Sequence, residues 1–116
     1  SKHASIINMA SITASQPSVG NSVYGASKAA LVSMTTCWAK ELASAKIRVN
    51  AIAPGYMDTN MTDTVDKTVI DGFVSDTVMR RLGKAEEIAK TAVFLASDDS
   101  TFIDGTVIKV TGGYRI

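Results

Sequence analysis

The chain is poor in the residues that build disulfides and metal centres. Its 116 residues include one cysteine, Cys37, and one histidine, His3. A single cysteine cannot form an internal disulfide, and clustered Cys/His zinc sites need several such ligands. These counts predict a reducing, cytoplasmic setting and a protein without a bound metal.

An excess of basic residues and long hydrophobic runs are also lacking. Twelve Lys/Arg stand against eleven Asp/Glu, and no basic cluster interrupts the sequence. Because nucleic-acid binding depends largely on neutralising phosphates with Lys and Arg, we expect no nucleic-acid partner. No run approaches the ~18 apolar residues that a membrane span requires, and no secretory signal pattern is found. The composition is that of one ordinary soluble domain.

What the sequence does contain is an alternation of strand-like and helix-like segments. Three short apolar runs have the length and composition of strands: residues 4–10, 47–53 and 106–110. Apolar residues three and four apart predict an amphipathic helix from Tyr24 to about Leu42, with Met34 and Trp38 in the core. A second helix is predicted from Glu86 to about Ser97, and its first turn is acidic.

This order predicts an α/β fold with about three parallel strands and two main helices. Residues 56–82 carry no strong period, so we expect a loop there with one short helix. The first strand has no proline, bulge signal or inward charge that would protect a free edge, and it begins almost at Ser1. We therefore expect residues 1–116 to form one partial domain whose first strand has a further neighbour.

The pattern that carries chemistry is Tyr24-Gly-Ala-Ser-Lys28, with Ser11 upstream of it. Tyrosine and lysine four residues apart lie on one helix face. A phenol has a reference pKa of about 10, and lowering it by about three units takes about 4 kcal/mol of preferential phenolate stabilisation. A neighbouring ammonium supplies part of this stabilisation. Taken alone, the pattern also fits a helix-surface pair, and Ser11 also fits a capping serine.

Four segments in the same order give this pattern its context. They are Ile6-Ile-Asn-Met-Ala-Ser11, Tyr24-Gly-Ala-Ser-Lys-Ala-Ala30, Ile47-Arg-Val-Asn-Ala-Ile-Ala-Pro-Gly55 with Thr59, and Asp104-Gly-Thr-Val-Ile-Lys-Val-Thr-Gly-Gly113. In order and spacing they resemble the short-chain dehydrogenases/reductases, in the compact branch that includes carbonyl reductases, polyol dehydrogenases and 3-oxoacyl-carrier-protein reductases. The resemblance covers essentially the whole chain and implies the carboxyl-terminal half of a Rossmann-like, doubly wound parallel sheet.

The resemblance implies an oxidoreductase that transfers hydride between NAD or NADP and a small alcohol or carbonyl substrate. Tyr24 takes the role of general acid/base. Lys28 lowers the pKa of Tyr24 and binds the nicotinamide ribose, so both residues also contact the cofactor. Ser11 orients the substrate carbonyl.

The resemblance also implies a nicotinamide contact after the second strand. Pro54 and Gly55 shape the turn there, and Thr59 stands where a hydroxyl binds the cofactor, although it also fits an ordinary turn residue. Met57 stands where a backbone group meets the carboxamide and a β-branched residue is more usual. Residues 60–80 correspond to the variable substrate loop of the family.

The front of the family pattern is missing from the chain. The eight glycines never take the Gly-x-x-x-Gly-x-Gly spacing of the phosphate loop, and the Asn-Asn-Ala-Gly segment is absent. Residues 1–116 therefore correspond to the catalytic half of the domain, without the half that binds the adenosine part of the cofactor. The choice between NAD and NADP stays open.

Two other functions stay open beside the enzyme. The resemblance implies a homo-oligomer, a dimer or tetramer, with a subunit contact at residues 85–97 and the last strand, so the chain is alternatively a non-catalytic oligomerisation or scaffold fragment. A serine hydrolase built on Ser11 and Lys28 is the third hypothesis, although no Gly-x-Ser-x-Gly elbow surrounds Ser11. Cys37 is expected to be a buried or half-buried apolar residue.

Overall fold

A three-stranded parallel sheet forms the centre of the computed structural model, which describes residues 4–60 and 62–116. The strands are β1 (Ala4–Met9), β2 (Ile47–Pro54) and β5 (Val107–Val110), in the order β1-β2-β5. Ala4 is opposite Ile47, and Ala51 is opposite Val107. The predicted parallel α/β architecture and the three strands are confirmed, and His3 lies outside the described residues.

The two long helices cover opposite faces of the sheet. Helix α1 (Ser22–Leu42) packs on the face of Asn8, whose amide donates to the Thr35 hydroxyl at 3.0 Å. Helix α3 (Ala85–Ala96) packs on the other face, where the Ser5 hydroxyl donates to the Leu95 carbonyl at 3.0 Å. Because side chains alternate along a strand, these contacts from β1 point to opposite sides. Both helices lie within a residue or two of their predicted bounds.

The segment between β2 and α3 is more ordered than the sequence indicates. It holds two short strands, β3 (Met57–Asp58) and β4 (Gly83–Lys84), which pair in parallel, and helix α2 (Lys67–Ser75) between them. The prediction of one short helix is confirmed by α2. The two strands are missing from the sequence prediction because a strand of two residues is too short to show a period.

The core is centred on β2. Val49, Ala51 and Ile52 in β2, together with Leu95 in α3, are buried. Arg48 donates to the carbonyl oxygens of four residues at the end of α3 and beyond it: Leu95, Ser97, Ser100 and Ile103. The central strand therefore carries both the apolar core and a polar anchor for the turns that follow α3.

The buried face of α1 differs from the predicted one. Its fully buried residues are the small Gly25, Thr35 and Ala39, whereas Met34 and Trp38 are only half-buried. The prediction that these two are core residues is therefore only partly right. Small side chains allow the helix axis to approach the sheet closely, so the larger residues lie beside the contact.

The prediction for Cys37 is wrong, because its side chain is exposed. Two residues along a helix turn the side chain by about 200°, so position 37 faces away from the sheet that Thr35 and Ala39 contact. The prediction relied on the usual burial of cysteine, whereas the position of this residue on the helix determines its exposure.

No helix among the described residues is long and apolar enough to cross a membrane. The Cα radius of gyration is 15.3 Å, against the about 13 Å typical of a compact domain of this length. The molecule is therefore more extended than a closed domain of equal size.

Candidate active site

The three predicted catalytic residues lie at one edge of the sheet. Ser11 follows the carboxyl end of β1, and the first two turns of α1 hold Tyr24 and Lys28. In open parallel sheets, ligands bind outside the carboxyl ends of the strands. The sequence-predicted residues therefore occupy the edge at which this kind of fold binds its ligands.

Lys28 joins α1 to the end of β1. Its Nζ donates to the Met9 carbonyl oxygen at 2.9 Å and lies 5.7 Å from the centroid of the Tyr24 ring. Tyr24 is 48% exposed, so the residue is open to a bound molecule. An ammonium carries three N–H donors, and the Met9 carbonyl uses one. Lys28 thus places a positive charge beside the phenol and keeps donor capacity for a polyhydroxyl ligand such as a ribose.

Ser11 caps a short 3₁₀ turn, Ile12–Ala14. Its Oγ accepts hydrogen bonds from the Thr13 amide at 3.2 Å and from the Thr13 hydroxyl at 2.9 Å. Ser11 is therefore a capping serine in this structure, as one of the two hypotheses expects. Capping uses its oxygen as an acceptor and leaves its proton available, so a substrate-orienting role is compatible with it.

Gly25 brings this turn against the helix that carries Tyr24. It is buried, and a Cβ there would lie 3.4 Å from the Thr13 carbonyl oxygen. The 3₁₀ turn thus packs directly on the first turn of α1. This contact brings the Ser11 segment and the Tyr24 segment together.

Pro54 and Gly55 end β2 at the same edge. The Gly55 amide donates to the Val110 carbonyl at 2.9 Å, and a Cβ on Gly55 would lie 2.9 Å from the Thr111 Cα. Glycine is required because two backbone segments meet here without space for a side chain. The turn after β2 is therefore held against the end of β5.

Met57 and Thr59 lie further along the same segment. Met57 belongs to β3, opposite Gly83 in β4, and its Sδ lies 2.7 Å from where a Gly83 Cβ would stand. The Met57 side chain therefore packs on β4. Thr59 follows β3 and is exposed.

An aromatic cluster beside this segment was missed by the sequence analysis. The Tyr56 ring stacks on Phe73 of α2, with centroids 3.5 Å apart, and meets the Tyr114 ring edge-on at 5.1 Å. Burial, with the neighbouring Tyr114, raises the pKa of Tyr56. The only sequence signal is three aromatics far apart in a chain with few of them, so the cluster becomes visible only in the fold.

The residues after β5 hold α2 in place near the site. The amides of Val78 and Met79 donate to the carbonyls of Gly113 and Gly112, at 3.2 Å and 3.0 Å. Arg115 forms an ion pair with Asp76 at 3.0 Å. Helix α2 is therefore attached at its carboxyl end.

The contacts do not support a serine hydrolase. A Ser-Lys mechanism needs the lysine within hydrogen-bond reach of the nucleophile. Among the described residues, no hydrogen bond joins these two side chains: the Lys28 Nζ donates to the Met9 carbonyl, and the Ser11 oxygen accepts from Thr13.

Comparison with known proteins agrees with this geometry. Residues 1–115 match the family model described as enoyl-(acyl carrier protein) reductase. The chain is 42% identical over 115 residues to a 3-oxoacyl-[acyl-carrier-protein] reductase of Thermotoga maritima, covering 99% of this chain and 47% of that protein. It is also 42% identical over 109 residues to the human (3R)-3-hydroxyacyl-CoA dehydrogenase, covering 94% of this chain and 42% of the relative.

Solved structures give the same result. The crystal structure of a 3-oxoacyl-[acyl-carrier protein] reductase from Brucella melitensis superposes with a TM-score of 0.92 at 36% identity, covering 97% of this chain and 42% of that one. A short-chain dehydrogenase/reductase from the same organism, titled glucose/ribitol dehydrogenase, gives 0.90 at 42% identity, covering 97% and 45%. The chain thus spans less than half the length of these relatives. It belongs to the short-chain dehydrogenase/reductase family of oxidoreductases.

Proposed function

We propose that residues 1–116 are the catalytic half of an NAD- or NADP-dependent oxidoreductase that interconverts a carbonyl compound and its alcohol. The observation that carries this proposal is the position of the Lys28 ammonium, 2.9 Å from the Met9 carbonyl and 5.7 Å from the Tyr24 ring centroid. We call this chain together with its natural upstream sequence the full-length protein.

In the reducing direction, Tyr24 donates its phenolic proton to the carbonyl oxygen as the carbonyl carbon receives a hydride. In the oxidising direction, the phenolate takes the proton back from the alcohol. The bound nicotinamide supplies or accepts the hydride. Lys28 stabilises the phenolate by its charge, and Ser11 donates a hydrogen bond to the substrate oxygen.

The donors at this edge fit the nicotinamide half of the cofactor. Lys28 has N–H donors beyond the one that Met9 uses, and Tyr24 is accessible, so both can bind ribose hydroxyls. The segment that continues from the carboxyl end of β2 would border the nicotinamide. It contains Pro54, Gly55, Met57 and Thr59. The adenosine half would be bound by residues upstream of this chain.

We propose a 3-oxoacyl thioester as the substrate. Two relatives are named for reducing a 3-oxoacyl thioester or oxidising a 3-hydroxyacyl thioester. These reactions are the two directions of one carbonyl-alcohol conversion at the same acyl position. Acetoacetyl-CoA is therefore the first probe to use.

The test is the Tyr24→Phe variant of the full-length protein. Acetoacetyl-CoA reduction, followed as NADPH or NADH absorbance, should fall by about 10²–10⁴-fold in kcat because the general acid is lost. Cofactor affinity, measured by NAD(P)H fluorescence, should fall by at most about tenfold, as expected for the loss of one hydrogen bond to the ribose. Ser33→Ala is the matched control, because it removes an exposed hydroxyl from the same helix, and it should keep its activity. Unchanged kcat in Tyr24→Phe would overturn the proposal.

We also propose that the full-length protein is a homo-oligomer, a dimer or tetramer. Val93 and Phe94 on α3 are 67% and 39% exposed, and β5 is an edge strand of the main sheet. Exposed apolar side chains and an unpaired strand edge each favour association with a second copy. Light scattering that gives the mass of a single chain would contradict this.

A further inference from the structure

Thr13 makes two hydrogen bonds to one atom of the candidate site. Its amide and its hydroxyl both donate to the Ser11 Oγ, at 3.2 Å and 2.9 Å. Thr13 is only 7% exposed, so water competes little for these two hydrogen bonds. Thr13 is thus a buried residue that contacts the hydroxyl proposed to bind the substrate.

The direction of these bonds determines what Ser11 can do. A serine hydroxyl offers two acceptor positions and one proton. Thr13 occupies both acceptor positions, and among the described residues nothing accepts the Ser11 proton. Ser11 can therefore act toward a further group only as a donor.

We propose that Thr13 is a positioning residue that keeps the Ser11 hydroxyl oriented as a donor toward the substrate carbonyl. This inference depends on the proposed function. Without the Thr13 hydroxyl, one acceptor position of the Ser11 oxygen would be open, and the Ser11 hydroxyl could rotate so that its proton points away from the substrate. Thr13 prevents this by saturating the Ser11 oxygen.

The backbone of Thr13 supports the same role. Its carbonyl oxygen lies 3.4 Å from the Cβ position of Gly25, the residue that follows Tyr24. The same residue therefore orients the Ser11 hydroxyl and packs on the helical turn that holds the general acid.

The test compares Thr13→Val with Thr13→Ser in the full-length protein, with acetoacetyl-CoA as substrate. Valine keeps the size of threonine but removes the hydroxyl, and serine keeps the hydroxyl. Loss of one oriented hydrogen bond should lower kcat by about tenfold in Thr13→Val, whereas Thr13→Ser should stay within about twofold of the parent. The Kd for NADPH or NADH should not change in either variant.

A double-mutant cycle separates positioning from a general structural effect. If Thr13 acts through Ser11, Thr13→Val should have no further effect on kcat in a Ser11→Ala background. The proposal is overturned if Thr13→Val has the parent kcat, if serine fails to rescue, or if the loss persists in the Ser11→Ala background. An inactive parent protein would instead overturn the proposed function, and this inference with it.

Discussion

Gly55 is a residue whose missing side chain determines the path of the backbone at the site. A Cβ there would lie 2.9 Å from the Thr111 Cα, which is backbone and cannot rotate away. We predict that Gly55→Ala destabilises the full-length protein by about 1–3 kcal/mol, because the end of β2 must move away from the residue after β5. Urea unfolding measures the change.

Gly72 is the matched control for this substitution. It lies inside α2, and a Cβ there would meet nothing within 4 Å. Gly72→Ala should stabilise the protein by up to about 1 kcal/mol, because alanine favours the helix more than glycine does. If the two variants unfold alike, the close contact at Gly55 has no energetic weight.

Single residues also show where sequence reasoning succeeds. Tyr24 and Lys28 are recognisable because a helix places residues four apart on one face, and the structure brings the Lys28 ammonium near the Tyr24 ring. Thr13 and Tyr56 could not be found in the same way. Their importance comes from contacts with Ser11 and Phe73, which only the fold creates.

At the scale of elements, the start of α3 depends on one carboxylate. Glu87 receives hydrogen bonds from Arg81 at 2.7 Å and 3.0 Å, and from the Lys84 amide at 3.0 Å. The Arg81 hydrogen bonds, followed by the Lys84 amide, lower the pKa of Glu87 from 4.5 to about 2. The charged carboxylate thus links the beginning of α3 to the segment before β4.

The lowered pKa predicts the pH dependence of this link. Between about pH 4.5 and 2 the unfolded state binds more protons at this group than the folded state, so its stabilising effect is present above that range and is lost as the pH falls through it. Glu87→Gln should lower Tm by at most about 4 °C at pH 7, because the pair is well exposed. The difference should disappear toward pH 2.

Glu86→Gln is the control for this pH profile. Glu86 lies in the same helical turn and is exposed. Its substitution tests the effect of removing one negative charge near the helix start without removing the Arg81 pair. Equal Tm profiles for the two variants would contradict a specific role of Glu87.

The long elements could be predicted from the sequence, whereas the contacts of α1 could not. The periodic spacing of apolar residues gave the extent of α1 correctly. It also predicted Trp38 as a core residue, whereas Trp38 is only half-buried because the helix contacts the sheet through small residues such as Ala39. A pattern of hydrophobic residues does not reveal a helix face that packs closely because its side chains are small.

Asn50 illustrates a different limit for β2. It is fully buried within an apolar strand. Its amide donates to the Ile103 carbonyl and its oxygen accepts from the Thr106 amide, at 3.0 Å and 3.1 Å. A buried polar group needs such partners, and these lie more than fifty residues away in the chain. The apolar residues around Asn50 predicted the strand, but the hydrogen bonds of Asn50 arise only in the tertiary structure.

At the scale of the whole molecule, burial is uneven across the sheet. The centre of β2 is fully buried, whereas β1 and β5 are half-buried or exposed along their described lengths. The radius of gyration of 15.3 Å is also large for the chain length. Both observations support the proposal that residues 1–116 are part of a larger sheet.

This proposal predicts weak cofactor binding by the isolated chain. Residues 1–116, titrated with NADH and NADPH by fluorescence, should bind at least about 100-fold more weakly than the full-length protein, since the phosphate-binding glycine loop is not in this chain. The same samples should show concentration-dependent association. Micromolar binding by residues 1–116 would contradict both the partial-domain proposal and the scaffold alternative.

The exposed position of Cys37 makes the chain suitable for spectroscopy. It is the only thiol of the 116 residues and lies on the solvent side of α1, thirteen positions after Tyr24 and therefore about 20 Å along the helix axis. A maleimide dye attached there would be rigidly connected to the helix that carries the general acid, yet too far away to block it. Its fluorescence could then report whether the surroundings of this helix change when the chain associates with a second copy.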